Sequence, residues 1–201
     1  SITNYFSSSK IYYIIDRSDW VIKDIGRELC EYLPIHKIKL STIHYGIRNS
    51  IVHYGSITTF LHPNKIKTPH NSNKVIVSWF HVLDNDQRAN LLYRAIPLVD
   101  IWHTSSYLNK QKMINIGIPE EKIIVIPLGV NTKNFLPIYI GNKNLYRDQL
   151  GIPEGSIVIG SFQKDGNGWG KGLEPKLIKG PDIFFEVIER LSKRYNIFVL
   201  F

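Results

Sequence analysis

Eight short runs of apolar, mostly β-branched residues set the terms for any fold of this 201-residue chain. They lie at 11–15, 38–43, 50–53, 75–80, 99–103, 123–126, 157–162 and 197–201. Each is too short for a helix and lacks the strict alternation of a half-wetted strand, so it suits a parallel strand covered on both faces. Between the runs, apolar residues recur at spacings of three and four. Ile22, Ile25, Leu29 and Leu33 form one such stripe, entered through Ser18 as a helix cap and stopped by Pro34. Residues 86–96 align Ala89, Leu92 and Ile96, residues 106–116 end at Gly117, and residues 181–195 align Phe184, Val187, Ile188 and Leu191. Strands alternating with helices predict an α/β protein, a Rossmann-like parallel sheet with flanking helices and right-handed crossovers.

The length allows one full domain and part of a second, at about 100 to 200 residues per domain. Turn residues and one short helical pattern between 131 and 153 read as a connection, giving a first domain at 1–135, a link at 136–154 and a second domain at 155–201. That last stretch holds one strand, one helix and the start of another strand, too little to cover both faces of a sheet. It is expected to be the beginning of a domain that Phe201 does not complete. A hydrophobic content of 43% supports a packed core and excludes a disordered chain.

Composition also removes several functions. Cys30 is the one cysteine, so there is no internal disulfide, and no Cys/His cluster has the spacing of a structural zinc site. The polar N-terminus lacks the apolar run of a signal peptide, and no stretch nears the roughly 18 apolar residues of a membrane helix. A cytoplasmic protein is expected, with no integral membrane segment and with peripheral membrane contact left open. The net charge of +8 comes from lysines dispersed along the chain and not from one block. With no recognition-helix or ribonucleoprotein motif, a basic nucleic-acid-binding protein is the weaker alternative.

The densest signal is the stretch from Gly160, Ser161 and Phe162 through Lys164 to Lys179, Gly180 and Pro181. A strand leads into a glycine-rich loop, and the loop returns to a helix with Gly180 at its cap and Pro181 at its first position. A helix start offers unpaired N–H groups and a positive dipole end, to which Lys164 and Lys179 add charge, as a diphosphate requires. The segment from Gly166 to Gly172 has neither Walker spacing nor a Ser/Thr after its lysine, and it misses the dinucleotide Gly-x-Gly-x-x-Gly. A P-loop and an ordinary NAD site are excluded.

The run from Gly160 to Asp182 resembles the donor-phosphate region of family 4 glycosyltransferases of the GT-B type. Upstream, Thr104-Ser105-Ser106, Gly117-Ile118-Pro119, Ile126-Pro127-Leu128-Gly129-Val130-Asn131 and Phe135-Leu136-Pro137 resemble the same family in the same order. The resemblance covers about half of the chain. It implies two facing Rossmann-like domains, transfer of a sugar from a nucleotide diphosphate sugar such as a GDP- or UDP-sugar to a glycan or other acceptor, retention at the anomeric carbon, and no metal or other cofactor. A nucleotide-sugar epimerase or a glycogen-phosphorylase-like enzyme would keep the fold and change the reaction.

Residue by residue, the resemblance assigns Lys179 and Gly180 to the donor diphosphate and Gly160 to the end of the first donor-domain strand. The family's basic residue after that glycine is missing, since Ser161 and Phe162 stand there, and Lys164 is expected to replace it. His81 matches a histidine near the donor sugar, whose imidazole would orient a sugar hydroxyl. Asp16 and Arg17 follow the first strand, where open α/β sheets place ligand loops, but they replace the family's glycine-rich turn. Asn131 stands where the family has an aspartate at the base of the cleft. The family's paired glutamates would lie beyond Phe201. His103, inside a strand-like run, is assigned to structure.

Overall fold

The computed structural model describes residues 11–17, 20–83, 86–133, 135–136, 142–163, 166 and 174–201. The chain divides into two compact units, Ser1–Gly129 and Val130–Phe201, six residues before the boundary expected at 135.

The first unit carries strands β1 (Ile11–Ile14), β2 (Ile38–Ser41), β3 (Ile51–Tyr54), β6 (Lys74–Ser78), β7 (Ile101–Thr104) and β8 (Ile123–Val125) in one sheet. Their order is β2-β1-β3-β6-β7-β8, and every neighbouring pair is parallel. This is the α/β architecture with a Rossmann-like parallel sheet that the apolar runs predict. The chain moves outward from β1 to β2, returns past β1 to form β3, and then winds on in the opposite direction. The reversal between β1 and β3 is a topological switch point, where neighbouring connections part and leave a crevice at the carboxyl ends of the strands.

Side chains alternate across the sheet. Tyr12, Ile14, Val52, Tyr54, Val75, Val77 and Trp102 face one side and form the main core with Phe60, Leu61, Leu92 and Met113. Tyr13 and Ile15 face the other side and meet helix α1 (Val21–Tyr32) through Ile22, Ile25 and Leu29. The cap position of α1 is Trp20, which supplies no side-chain cap bond; Ser18, the expected cap, lies outside the described residues. The Trp20 indole instead donates to both oxygens of Asp16 at 3.0 Å and so fixes the turn from β1 into α1.

Two glycines let α1 and β3 close on the Tyr13 ring. A Cβ on Gly26 would sit 2.9 Å from Tyr13 Cδ1, and one on Gly55 would sit 2.7 Å from Tyr13 Cε1 and from Ile22 Cγ2. Gly55→Ala must therefore displace a buried ring, and overpacking of this kind costs about 1 to 3 kcal/mol. A urea midpoint for Gly55→Ala equal to that of the unsubstituted chain would show that the wedge carries no strain.

Among the described residues the first unit also carries the α-helices α2 (Ile57–Phe60), α3 (Ala89–Ala95) and α4 (Tyr107–Asn115). Ser106 caps α4 by accepting from the Asn109 N–H at 3.2 Å. Gly117, at φ 96°, ends it, with Gly117 N–H donating to Ile114 O and Ile118 N–H to Met113 O. An antiparallel hairpin of β4 (Leu61–His62) and β5 (Lys65–Ile66) follows α2; the apolar runs predict neither.

The second unit carries α5 (Lys143–Gln149). Arg147 of this helix donates to Pro153 O at 3.1 Å and to Ser156 O at 2.8 Å. Strand β9 (Ile157–Gly160) pairs in parallel with β10 (Ile197–Leu200), and α6 (Pro181–Ser192) precedes β10. A 3-10 turn over Leu177–Lys179 feeds α6 through Gly180, whose φ of 69° requires glycine, and Pro181 takes the first helical position as expected.

Candidate functional site

The parallel sheet brings the carboxyl ends of all its strands to one edge. Asp16 and Arg17 leave β1 there, Gly55 and Ser56 leave β3, Trp79 to His81 leave β6, and Ser105 and Ser106 leave β7. The fold thus places Asp16, Arg17 and His81 along one edge, with Asp16 at the switch point. His81 is exposed, and its carbonyl accepts from the Trp79 indole at 2.9 Å. Asp16 has its carboxylate engaged by Trp20.

Cations gather at this edge from segments that the sequence reading did not select. Lys65 and Lys67, in and after β5, stand within electrostatic reach of His44, and Lys67 is within reach of Asp16. Burial lowers the Lys67 ammonium from its ordinary range, Asp16 opposes that shift, and Lys65 adds to it. Burial also lowers His62, with Lys67, Arg88 and Lys65 acting in the same direction. Arg88 lies 5.9 Å from the Trp79 ring centroid and donates from Nε to Asp86 at 2.7 Å. Burial alone would raise the Asp86 carboxyl; the hydrogen bonds from Arg88 outweigh it and hold the group below its ordinary value. With Lys65, Lys67 and Arg88 against Asp16 and Asp86, the named groups carry an excess of cations over carboxylates.

A cavity of about 460 Å³ opens on the opposite side of the sheet from the main core, beside α1. Its lining is largely apolar, with Tyr13, Ile76, Phe80 and Ile124 among the walls. One polar row crosses its floor. His53 Nε2 lies 2.8 Å from Ser78 Oγ, Ser78 Oγ lies 2.9 Å from His103 Nδ1, and His103 Nε2 lies 3.0 Å from Ile126 O. The Ile126 carbonyl can only accept, so His103 carries its proton on Nε2. In the neutral ring Nδ1 then accepts from the Ser78 hydroxyl, and Ser78 Oγ accepts from His53 Nε2–H. Burial, with His103 adding to it, pushes His53 down to about 3, so this imidazole is neutral at pH 7. His103, assigned to structure from its place in an apolar run, is a member of that row, and Ser78 is its centre.

The remaining predicted residues lie in the second unit or outside the described residues. Lys179 is exposed in the turn directly before α6, and Gly180 caps that helix. Gly160 closes β9; a Cβ there would meet only the ring of Phe162, which is 84% exposed and free to swing aside. Packing therefore does not demand glycine at 160. Asn131 Oδ1 accepts from Lys133 N at 3.0 Å, an Asx turn that by itself accounts for the residue type. Lys164 lies outside the described residues.

Among the described residues no group of three or more His, Cys, Asp or Glu side chains is arranged to hold a metal ion, and no helix is long and apolar enough to cross a membrane. No protein-family model matches the chain, and no curated protein matches it.

Proposed function

We propose that this chain belongs to a nucleotide-sugar-dependent glycosyltransferase of the GT-B type, with the donor diphosphate held at the head of α6 and the acceptor at the carboxyl edge of the first unit's sheet. The observation that carries the reading is the local build of the second unit. A strand ending in a glycine that packing does not require is followed by an exposed Lys179, a left-handed Gly180, and a helix opened by proline. The first turn of α6 has N–H groups with no partner inside the helix, and its dipole adds partial positive charge beside the Lys179 ammonium. A diphosphate leaving group develops charge as the glycosidic bond breaks, and fixed positive charge at that point lowers the barrier without reorganisation.

In this reading the first unit supplies position more than chemistry. His81 orients a sugar hydroxyl, and Asp16 and Arg17 line the acceptor approach. Transfer proceeds with retention, without a metal, from a GDP- or UDP-sugar to a glycan or similar acceptor in the cytoplasm. The motif order along the chain, from Thr104-Ser105-Ser106 to Phe135-Leu136-Pro137, supports family 4 over an epimerase of the same fold.

Lys179→Ala is expected to weaken binding of UDP or GDP about tenfold to a hundredfold, because a hydrogen bond to a charged group contributes roughly 1.5 to 3 kcal/mol. Lys193→Ala, at the far end of α6, should leave affinity unchanged. Calorimetric titration of both variants decides the matter, and equal affinities for Lys179→Ala and the unsubstituted chain would remove the donor assignment.

A further inference from the structure

The apolar cavity of about 460 Å³ beside α1 plays no part in the donor reading. The winding of the chain explains where it lies. From β1 the chain passes through α1 to β2 on one side, then runs from β3 through β6 and β7 to β8 in the opposite direction. With crossovers of one hand, reversing the direction of travel moves the connecting helices to the other face of the sheet. Phe60 of α2, Leu92 of α3 and Met113 of α4 accordingly pack in the main core. On the face that α1 shares, β6, β7 and β8 present Ile76, Ile101 and Ile124 to the cavity.

Its walls are held without a ligand. Ile126 N–H donates to Thr104 O at 2.9 Å, and Ile126 O accepts from His103 Nε2 at 3.0 Å, so both backbone groups of Ile126 are tied to β7. The Phe80 ring meets His103 edge-on with centroids 5.3 Å apart, and Tyr13 meets His53 in the same way at 4.8 Å. A ligand that enters need not order these groups.

The lining selects by charge and by hydrogen bonding. Among its described residues it has one carboxylate, Glu28, and no lysine or arginine. An anion would lose its water there and meet no cation. The donors of the polar row are engaged: His53 Nε2–H on Ser78 Oγ, the Ser78 hydroxyl on His103 Nδ1, and His103 Nε2–H on Ile126 O. What the row leaves over is an acceptor. With the His53 proton on Nε2, Nδ1 of that ring carries a lone pair, and no described residue bonds it. The polar side-chain atoms sealed off without a partner are, among the described residues, His44 Nε2, Trp102 Nε1 and Thr104 Oγ1. His53 Nδ1 is not one of them, so it is unpaired but reachable, and His53 stands in the cavity's lining.

We propose that this cavity binds an uncharged, largely apolar molecule that carries one hydroxyl, with the hydroxyl donating to His53 Nδ1 and the apolar body lying against Ile76, Phe80 and Ile124. Covering Ile124, Ile126 and Leu128, which are exposed in the free chain, supplies the driving force. The volume falls within the range of about 300 to 1,000 Å³ common for drug-sized ligands. The site belongs to the first unit alone and stands or falls independently of the donor reading.

The test is calorimetric titration of the whole chain at pH 7.5 with three probes of one shape: naphthol, its methyl ether and naphthoate. Naphthol is expected to bind, the ether about three- to tenfold more weakly for want of a donor, and naphthoate at least about tenfold more weakly because its charge finds no partner. His53→Phe keeps a ring and removes the acceptor, so it should leave the ether bound and erase the preference for naphthol. Ile124→Asp should weaken both, and Lys179→Ala neither. If His53→Phe fails to fold, the His53 Nδ1 ¹⁵N resonance of the unsubstituted chain takes its place, and it should move with naphthol and stay fixed with the ether. No binding of naphthol, equal affinity for naphthol and ether, naphthoate bound as tightly as naphthol, a preference that survives His53→Phe, or a resonance that naphthol leaves unmoved would each overturn the site. So would sedimentation showing a dimer that Ile124→Asp dissociates, which would assign this face to a second copy of the chain.

Discussion

Lowering the pH from 6.5 to 4.5 is expected to cost the first unit about 4 kcal/mol of stability, roughly 2 kcal/mol from each of two imidazoles. Burial, reinforced by Lys67 and Lys65, lowers His44 to about 4, and burial with His103 lowers His53 to about 3. In the unfolded chain both rings return to their ordinary value near 6.5. The folded values are lower, so below pH 6.5 the unfolded chain binds more protons and stability falls. The full contribution is present above pH 6.5 and is lost progressively as pH drops toward 4 at His44 and toward 3 at His53. A loss of this size rivals the total stability of a domain, about 5 to 15 kcal/mol. Urea unfolding of the first unit at pH 7.5, 6.5, 5.5 and 4.5 measures the slope. His44→Phe and His53→Phe should each flatten it, while a profile that these changes leave equally steep would place the acid sensitivity elsewhere.

Trp102→Ala is expected to destabilise the first unit by about 3 to 5 kcal/mol, the range for removing a large aromatic from a core. Trp102 is fully buried and lies within a run of rings from Tyr54 through Phe60 and Trp102 to Trp79, with centroids 5.0, 6.3 and 6.1 Å apart. The run links β3, α2, β7 and the segment after β6, so its loss loosens the main core at several elements together. Trp102→Phe separates volume from polarity. The Trp102 indole N–H is buried without a partner, so the phenylalanine variant loses volume but also removes an unsatisfied donor. It should cost clearly less than Trp102→Ala. Equal urea midpoints for the two variants would mean that ring packing contributes little at this position.

The strands of the main sheet were legible because each is a short apolar run bounded by turn residues, and a parallel strand buried on both faces leaves that mark. Helices α1, α4 and α6 were legible from stripes such as Ile22, Ile25 and Leu29. Their ends were less so: α1 begins two residues later than a Ser18 cap implies, because Trp20 and Asp16 fix the entry through a side-chain bond that periodicity does not encode. The hairpin of β4 and β5 is two residues per strand and has no room for a period. Helix α2 is four residues long and is marked only by its capping box, Ser56 with Thr59.

Site residues divide along a similar line. Asp16, Arg17 and His81 follow apolar runs, and in a parallel sheet every such position falls on one edge, so their company could be read from order alone. Lys65, Lys67 and His44 could not be. Lys65 stands in a two-residue strand and the others in connections without regular structure, and Asn73 and Ser72 tie the segment at 47–50 to the one at 72–73 across 23 or more positions of chain. The one local sign was Gly46 beside two aromatic residues, which marks a turn and says nothing of what the turn faces. The row of His53, Ser78 and His103 was hidden because each member interrupts a different strand, and a single polar residue in an apolar run carries no partner's name.

That row also bears on how the strands find their alignment. Parallel strands rich in valine and isoleucine tolerate a slip of two residues with their faces preserved, since one branched side chain replaces another. In the native pairing His53 lies opposite Ile76 and Ser78 opposite His103. A two-residue slip of β6 would put Ile76 or Phe80 where the serine hydroxyl belongs and take from both imidazoles their bond to Ser78, leaving His103 only its bond to Ile126 O. The polar row therefore works as an alignment key for the centre of the sheet: hydrophobic burial draws β3, β6 and β7 together, and two hydrogen bonds, His53 to Ser78 and Ser78 to His103, select the one offset at which they stay.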